Sequence, residues 1–224
     1  MRIAIYSENG FIPANQTGVE KHATRIIGRL RSRSNVRFKL FYPADAPCQE
    51  RSKGAEAFQG MDANRIRMRR RVLEGAWTLW GRPVFDFFVT TCDWVYCHRE
   101  CFIPTSEMKY ALTVHDVFRF EPKHAGGMSL RSRYRWLHMR KALSSANIIL
   151  CVSHFTGGRI QDLFGVEPSK IHVIGNGVDD VFFSDTPSVE WHQNENRFDG
   201  PYVLSIGGLR YKKGGEYLLD VAEA

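Results

Sequence analysis

Residues 148–179 read IILCVSHFTGGRIQDLFGVEPSKIHVIGNGVD. The stretch opens on an apolar, partly β-branched run, Ile148 to Val152, of a length that suits a buried strand. Ser153 follows, a residue type that caps helices or meets anions. Thr156 to Phe164 predicts a short helix. Ile171 to Ile174 is a second apolar run and a second strand, and Asn176-Gly177 marks a tight turn after it. A strand, a helix and a strand in so short a span form the unit from which parallel sheets are built.

The same alternation runs outward in both directions. Toward the N-terminus, Arg2 to Tyr6 predicts a strand. Ser7 to Thr17 predicts a loop, and a helix follows from Val19 with Val19, Ala23, Ile26, Ile27 and Leu30 on one face. Val36 to Tyr42 predicts a strand, and Pro43 to Asp62 a surface excursion punctuated by Pro and Gly. Asn64 to Trp80 predicts a helix with Ile66, Leu73, Trp77 and Trp80 aligned, ended by Gly81-Arg82-Pro83. Val84 to Thr90, Trp94 to Cys97 and Tyr110 to Val114 are strand candidates. Ser129 caps a helix reaching Ser145, with Leu130, Tyr134, Leu137 and Ala142 facing inward. Toward the C-terminus, residues 176–200 read as a polar linker. Tyr202 to Ala224, YVLSIGGLRYKKGGEYLLDVAEA, reads as a strand, a Gly-rich basic turn and the start of a helix. The expected fold is therefore α/β: a doubly wound, mostly parallel sheet over residues 1–175, then the opening β-α unit of a second domain over residues 201–224.

Composition narrows the class. Of 224 residues, 43% are hydrophobic and 25% charged, ordinary for a globular protein. No apolar run approaches the length that spans a bilayer, and the N-terminus turns polar too early for a signal peptide. Five dispersed cysteines suit a reduced, cytoplasmic protein. Cys97-His98 with Cys101, and Cys92 nearby, match no common zinc spacing, so free buried thiols are expected and no metal. The net charge of +7 points to an anionic partner. Nucleic-acid motifs are not present.

Four motifs carry chemistry. Asn15 to Glu20 places Gly18 where a strand-to-helix loop meets a helix start, which suits a close backbone approach by an anion or a simple chain turn. Thr113-Val114-His115-Asp116 puts a His-Asp pair at the end of a buried strand, facing the crevice where such sheets bind ligands; a structural histidine is the other reading. Ser153 and Asn176 follow two further strands. Gly207-Gly208 with Lys212 and Lys213 precedes a helix start and suits a diphosphate, although the Walker ending is missing.

Taken in order, these pieces resemble the retaining GT-B glycosyltransferases of family 4, most closely a bacterial mannosyltransferase-like branch. TGVEKHATRIIGRL is similar to the family's glycine loop and first helix. LTVHDVFRFEP resembles its T-x-HD segment, CVSHFTGGRIQDLFGVEPSKIHVIGNGVD its VS-x-F-S…I-x-V-I-x-N-G-V-D stretch, and YVLSIGGLRYKKG the opening of its donor domain. The resemblance implies two Rossmann-like domains around a cleft, and transfer of a sugar from a nucleotide donor to a glycan or lipid-linked acceptor with retention. It implies no cofactor and no metal, and a place in envelope or exopolysaccharide synthesis. Gly18, Lys212 and Lys213 then lie at the donor diphosphate, His115 is the catalytic residue in the sugar site, and Asp116, Ser153 and Asn176 line the cleft. Lys212 stands where many members carry Arg, and Gly208 where another branch does. The family's base- and ribose-binding part lies beyond what residues 201–224 supply. The expectation is a chain truncated early in the donor domain and inactive alone.

Two other classes remain open in the sequence. One is a non-catalytic acceptor- or membrane-binding fragment. Arg65 to Arg71 with Trp77, Leu79 and Trp80 would suit a helix lying on anionic lipid at the inner face of the membrane; its rival is a helix packed on its own domain. The other is an epimerase or dehydrogenase, which lacks its early G-x-G-x-x-G here.

Overall fold

The computed structural model describes residues 1–9, 17–33, 35–46, 60–89, 91–121, 129–178 and 180–183, with 214, 215, 217, 218 and 220. The chain divides into two compact units, Met1–Gly177 and Val178–Ala224. In the second, Asp180–Phe183 forms a 3-10 turn and Gly214, at φ 70°, opens a helical turn. The strand expected at Tyr202 to Ile206, the basic turn with Lys212 and Lys213, and most of the linker lie outside the described residues.

The first unit is a seven-stranded, all-parallel sheet in the order β3-β2-β1-β4-β5-β6-β7. Its strands are β1 (Arg2–Tyr6), β2 (Arg37–Pro43), β3 (Asp62–Ile66), β4 (Trp94–Cys97), β5 (Lys109–Val114), β6 (Ile148–Cys151) and β7 (Ile171–Val173). Its helices are α1 (Gly18–Arg31), α2 (Arg70–Trp80), α3 (Leu130–Ser145) and α4 (His154–Phe164). This is the doubly wound α/β architecture that the strand-helix alternation predicts, and the strand order reverses between β1 and β4.

Alternation along each strand sorts the core into two layers. Ala4, Tyr6, Val95, Cys97, Tyr110 and Leu112 pack with Leu73 and Trp77 of α2, Met139 and Leu143 of α3 and Ile160 of α4. Ile5, Leu40 and Tyr96 pack on the other face with Ala23 and Ile27 of α1. So α1 covers one face and α2, α3 and α4 the other. Burying a side chain such as Leu73 or Ile27 is worth about 2 kcal/mol.

Several expectations are corrected. Residues 62–66 form an edge strand, not the start of a helix. The Arg-rich run is therefore split: Arg65 sits on β3, while Arg70 and Arg71 open α2. The continuous basic-aromatic helix proposed for lipid does not form. Leu73 and Trp77 are buried in the chain's own core, whereas Trp80 is exposed. Gly81 ends the helix at φ 67°, a conformation that favours glycine. Residues 85–88 form a 3-10 turn instead of a strand. Asp86 stabilises that turn, its carboxylate accepting backbone N–H bonds from Ser106, Glu107 and Met108 at 2.8–3.0 Å. In α3, Ala142 faces inward as expected, but Leu130, Tyr134 and Leu137 are exposed and Met139 and Leu143 take their place.

Candidate active site

Register aligns the C-terminal ends of the central strands. Tyr6 pairs with Cys97, Cys97 with Leu112, Val114 with Cys151, and Cys151 with Val173. The residues that leave these strands therefore emerge along one crest, where open parallel sheets bind ligands.

His115 emerges after β5. Its backbone N–H donates to Glu100 Oε1 at 3.1 Å. Its ring Nε2 lies 3.1 Å from the His98 carbonyl oxygen, which can only accept, so Nε2 carries the proton and Nδ1 is left as an acceptor. The ring is half-buried, and burial pushes its pKa below the usual histidine range; the electrostatic influence of the neighbouring His22 and Arg99 acts in the same direction, against the His98 hydrogen bond. His115 is thus a neutral imidazole at pH 7 with a hydrogen-bond acceptor at Nδ1. His98 beneath it is neutral as well, its pKa pushed down to about 4 by burial. Burial raises the Glu100 carboxyl above its usual range.

Gly18 is the first residue of α1, which begins after Thr17. Glu20, three residues on from Thr17, accepts the Thr17 backbone N–H at 2.7 Å and so fixes the helix start. Its other carboxylate oxygen accepts from Asn9 Nδ2 at 3.2 Å, tying α1 to the residues after β1. Gly18 has no positive φ, and an added Cβ would meet nothing within 4 Å. Neither backbone conformation nor packing requires glycine there, so its effect is to leave open space at a helix N-terminus.

His22, one turn further along α1, joins the motifs. Its edge meets the His115 ring at a centroid distance of 5.2 Å and 82°. Its Nε2 donates to the Gly175 carbonyl at 3.0 Å, and its buried Nδ1 has no hydrogen-bond partner. The helix that begins at Gly18, the histidine after β5 and the turn holding Asn176 after β7 therefore meet around one side chain.

The other expected residues have local duties. Ser153 caps α4, its Oγ accepting from Thr156 N at 3.1 Å. Asp116 Oδ1 accepts from Phe118 N at 3.1 Å and shapes the turn after β5. Both stand at strand ends on the crest. Lys212 and Lys213 lie outside the described residues. Among the described residues no group of three or more His, Cys, Asp or Glu could hold a metal ion. Cys92, Cys97, Cys101 and Cys151 are free thiols, and Cys48 lies outside the described residues.

Sequence reading missed His22, Glu20 and the segment His98-Arg99-Glu100. The signal for the last was its position after β4, beside the strand-order reversal; the Cys97-His98-Cys101 spacing drew the reading toward metal chemistry instead. His22 lies one turn from both Val19 and Ile26, at the margin of the apolar stripe of α1, where a polar side chain gives no local signal of what it faces.

Among the described residues no helix is long and apolar enough to cross a membrane. No curated protein matches the chain. A family model, Glycosyltransferase Family 4, matches residues 16–182, a span that includes Gly18, His22, His115, Ser153 and Asn176. The chain belongs to glycosyltransferase family 4, and the general activity this membership supports is glycosyl transfer.

Proposed function

We propose that this chain carries the acceptor-side domain of a retaining glycosyltransferase. It takes a sugar, mannose by the branch resemblance, from a nucleotide donor and delivers it to a glycan or lipid-linked acceptor in envelope or exopolysaccharide synthesis. The observation that carries this reading is the meeting of His22, His115 and the Gly175 carbonyl at the strand ends. Three separate parts of the family match converge on one crest.

In this reading the donor diphosphate approaches the open N-terminus of α1 at Gly18; the family resemblance separately assigns Lys212 and Lys213, which lie outside the described residues, to diphosphate binding. Negative charge grows on the diphosphate as the bond to the sugar breaks. A helix N-terminus lowers the energy of that charge. His115 offers Nδ1 to a sugar hydroxyl; being neutral, it accepts a hydrogen bond and does not repel developing positive charge on the sugar ring. Asp116, Ser153 and Asn176 form the walls of the cleft.

Saturation-transfer NMR with a panel of soluble glycans tests this on the 224-residue chain. The expected result is transfer to the C–H protons on the hydroxyl-bearing carbons of a bound glycan, lost in His115→Ala while the fold is retained. Equal transfer in the parent and in His115→Ala would refute the assignment of the site.

A further inference from the structure

We propose that the acceptor carries a phosphate group, and that Arg70 and Arg99, bridged by Glu8, form the subsite that holds it. This rests on the glycosyl-transfer reading and names the chemistry of its second substrate. The geometry comes from three elements. Glu8 leaves the end of β1, Arg99 leaves the end of β4, and Arg70 opens α2. Arg70 Nη1 lies 3.0 Å from Glu8 Oε2, and Arg99 Nη1 contacts Glu8 Oε1. Two guanidinium groups thus converge on one carboxylate, directly at the reversal of strand order.

The charges do not balance. Glu8 answers one of the two arginines that contact it. Asp45 acts on Arg69 and Arg70, while Glu74 and Glu100, whose pKa values burial raises, act on Arg70 and Arg99 respectively. Arg67 and Arg71 stand exposed. The first turn of α2 holds no acidic residue and its N-cap makes no side-chain bond, so three consecutive arginines sit at the positive end of the helix. Asp45 relieves part of this by accepting the Arg70 N–H at 2.6 Å. The remainder is an unfavourable arrangement that a bound anion offsets. Burial favours access: Glu8 is 15% exposed at the base, while Arg70 and Arg99 are 37% and 35% exposed. Both guanidinium groups can turn remaining N–H donors to a phosphate, for which their planar forks are suited.

Position makes this an acceptor subsite. The diphosphate reading uses α1, on one face of the sheet, whereas Arg70 heads α2 on the other. Arg99 lies between, close enough to His115 to depress its pKa. A phosphate held by Arg70 and Arg99 would direct the rest of its molecule toward the imidazole.

The experiment is calorimetric titration of the whole chain with inorganic phosphate at fixed ionic strength. A parallel arm measures co-sedimentation with vesicles of phosphatidylcholine alone or of equimolar phosphatidylcholine and phosphatidic acid. Arg70→Gln and Arg99→Gln each weaken phosphate binding about tenfold, the loss of one charge-assisted contact. Glu8→Gln tightens it several-fold by removing the competing carboxylate. Arg29→Gln, in the last turn of α1 and outside the Glu8 cluster, leaves it unchanged, which separates a site from diffuse attraction. Thermal unfolding of each variant checks the fold. Binding in the soluble arm marks a free phosphorylated acceptor; binding only to phosphatidic acid vesicles, lost in the same two variants, marks a lipid phosphate. No binding in either arm, or binding in Arg70→Gln and Arg99→Gln equal to the parent, overturns the proposal. Glycan saturation transfer that persists without phosphate binding leaves the glycosyl-transfer reading intact with a neutral acceptor; the reverse result removes that reading and keeps the anion site.

Discussion

Glu74 makes the stability of this fold depend on pH in a direction that can be calculated. Its carboxyl lies on α2 beneath the crest, where Tyr6 Oη donates to Oε1 at 3.2 Å. Burial raises its pKa from 4.5 to about 7, against the pull of Arg70 and of the Tyr6 hydroxyl. Below the unfolded value of 4.5 both states hold the proton, and the neutral carboxyl contributes its full stability. As pH rises toward the folded value of about 7, the unfolded chain ionises first, and the contribution is lost through that window. At about 1.4 kcal/mol per pH unit, the interval from 4.5 to about 7 corresponds to about 3 kcal/mol. Glu74→Gln removes the ionisation and keeps an acceptor for Tyr6, at a cost of about 1 kcal/mol for imperfect hydrogen bonding. The variant should be slightly less stable than the parent near pH 4 and about 2 kcal/mol more stable near pH 8. Urea denaturation followed by tryptophan fluorescence at a series of pH values measures the difference. A constant difference across the series would refute the buried-carboxyl argument.

Three further outcomes follow from the same geometry. Gly18→Ala should change stability by less than about 0.5 kcal/mol, because its Cβ meets nothing within 4 Å; nucleoside diphosphate binding, measured by calorimetry, should weaken. His22→Ala should cost about 2 kcal/mol through the lost bond to Gly175 and the space left behind, with faster amide exchange at Ile174, whose N–H bonds the Cys151 carbonyl. At Asp86 burial opposes ionisation, but three backbone N–H groups outweigh it and hold the carboxyl below its usual range. Asp86→Ala should therefore cost about 2 kcal/mol at neutral pH by urea denaturation, and the cost should shrink as pH falls through the folded pKa.

The sheet was legible because β1, β2, β4, β5, β6 and β7 carry apolar runs that periodicity detects. β3 was not, since four of its five residues are exposed and only Ile66 is buried. Ile66 also falls in helical phase with Leu73 and Trp77, which extended the helix backward over the strand. Residues 84–90 have the β-branched and aromatic composition of a strand. Their conformation is decided by Asp86 reaching the 106–108 backbone, a long-range contact that local pattern does not encode. In α3 the expected inward face was Leu130, Tyr134, Leu137 and Ala142, of which Ala142 alone is buried, with Met139 and Leu143 beside it, because only the C-terminal half of the helix meets the core. At the site, His115 was found because a His-Asp pair ends a strand. His22, Glu8 and Arg99 became visible only when the strand ends were aligned, because their importance lies in what they face.

The proposed site depends on His115 presenting an unprotonated Nδ1 at the crest. Long-range nitrogen-15 NMR of the histidine rings reads that directly. It should show a neutral ring at pH 7 with the proton on Nε2, and an Nδ1 resonance that moves when a glycan binds. A cationic ring at that pH, a proton on Nδ1, or an Nδ1 signal indifferent to bound glycan would contradict it.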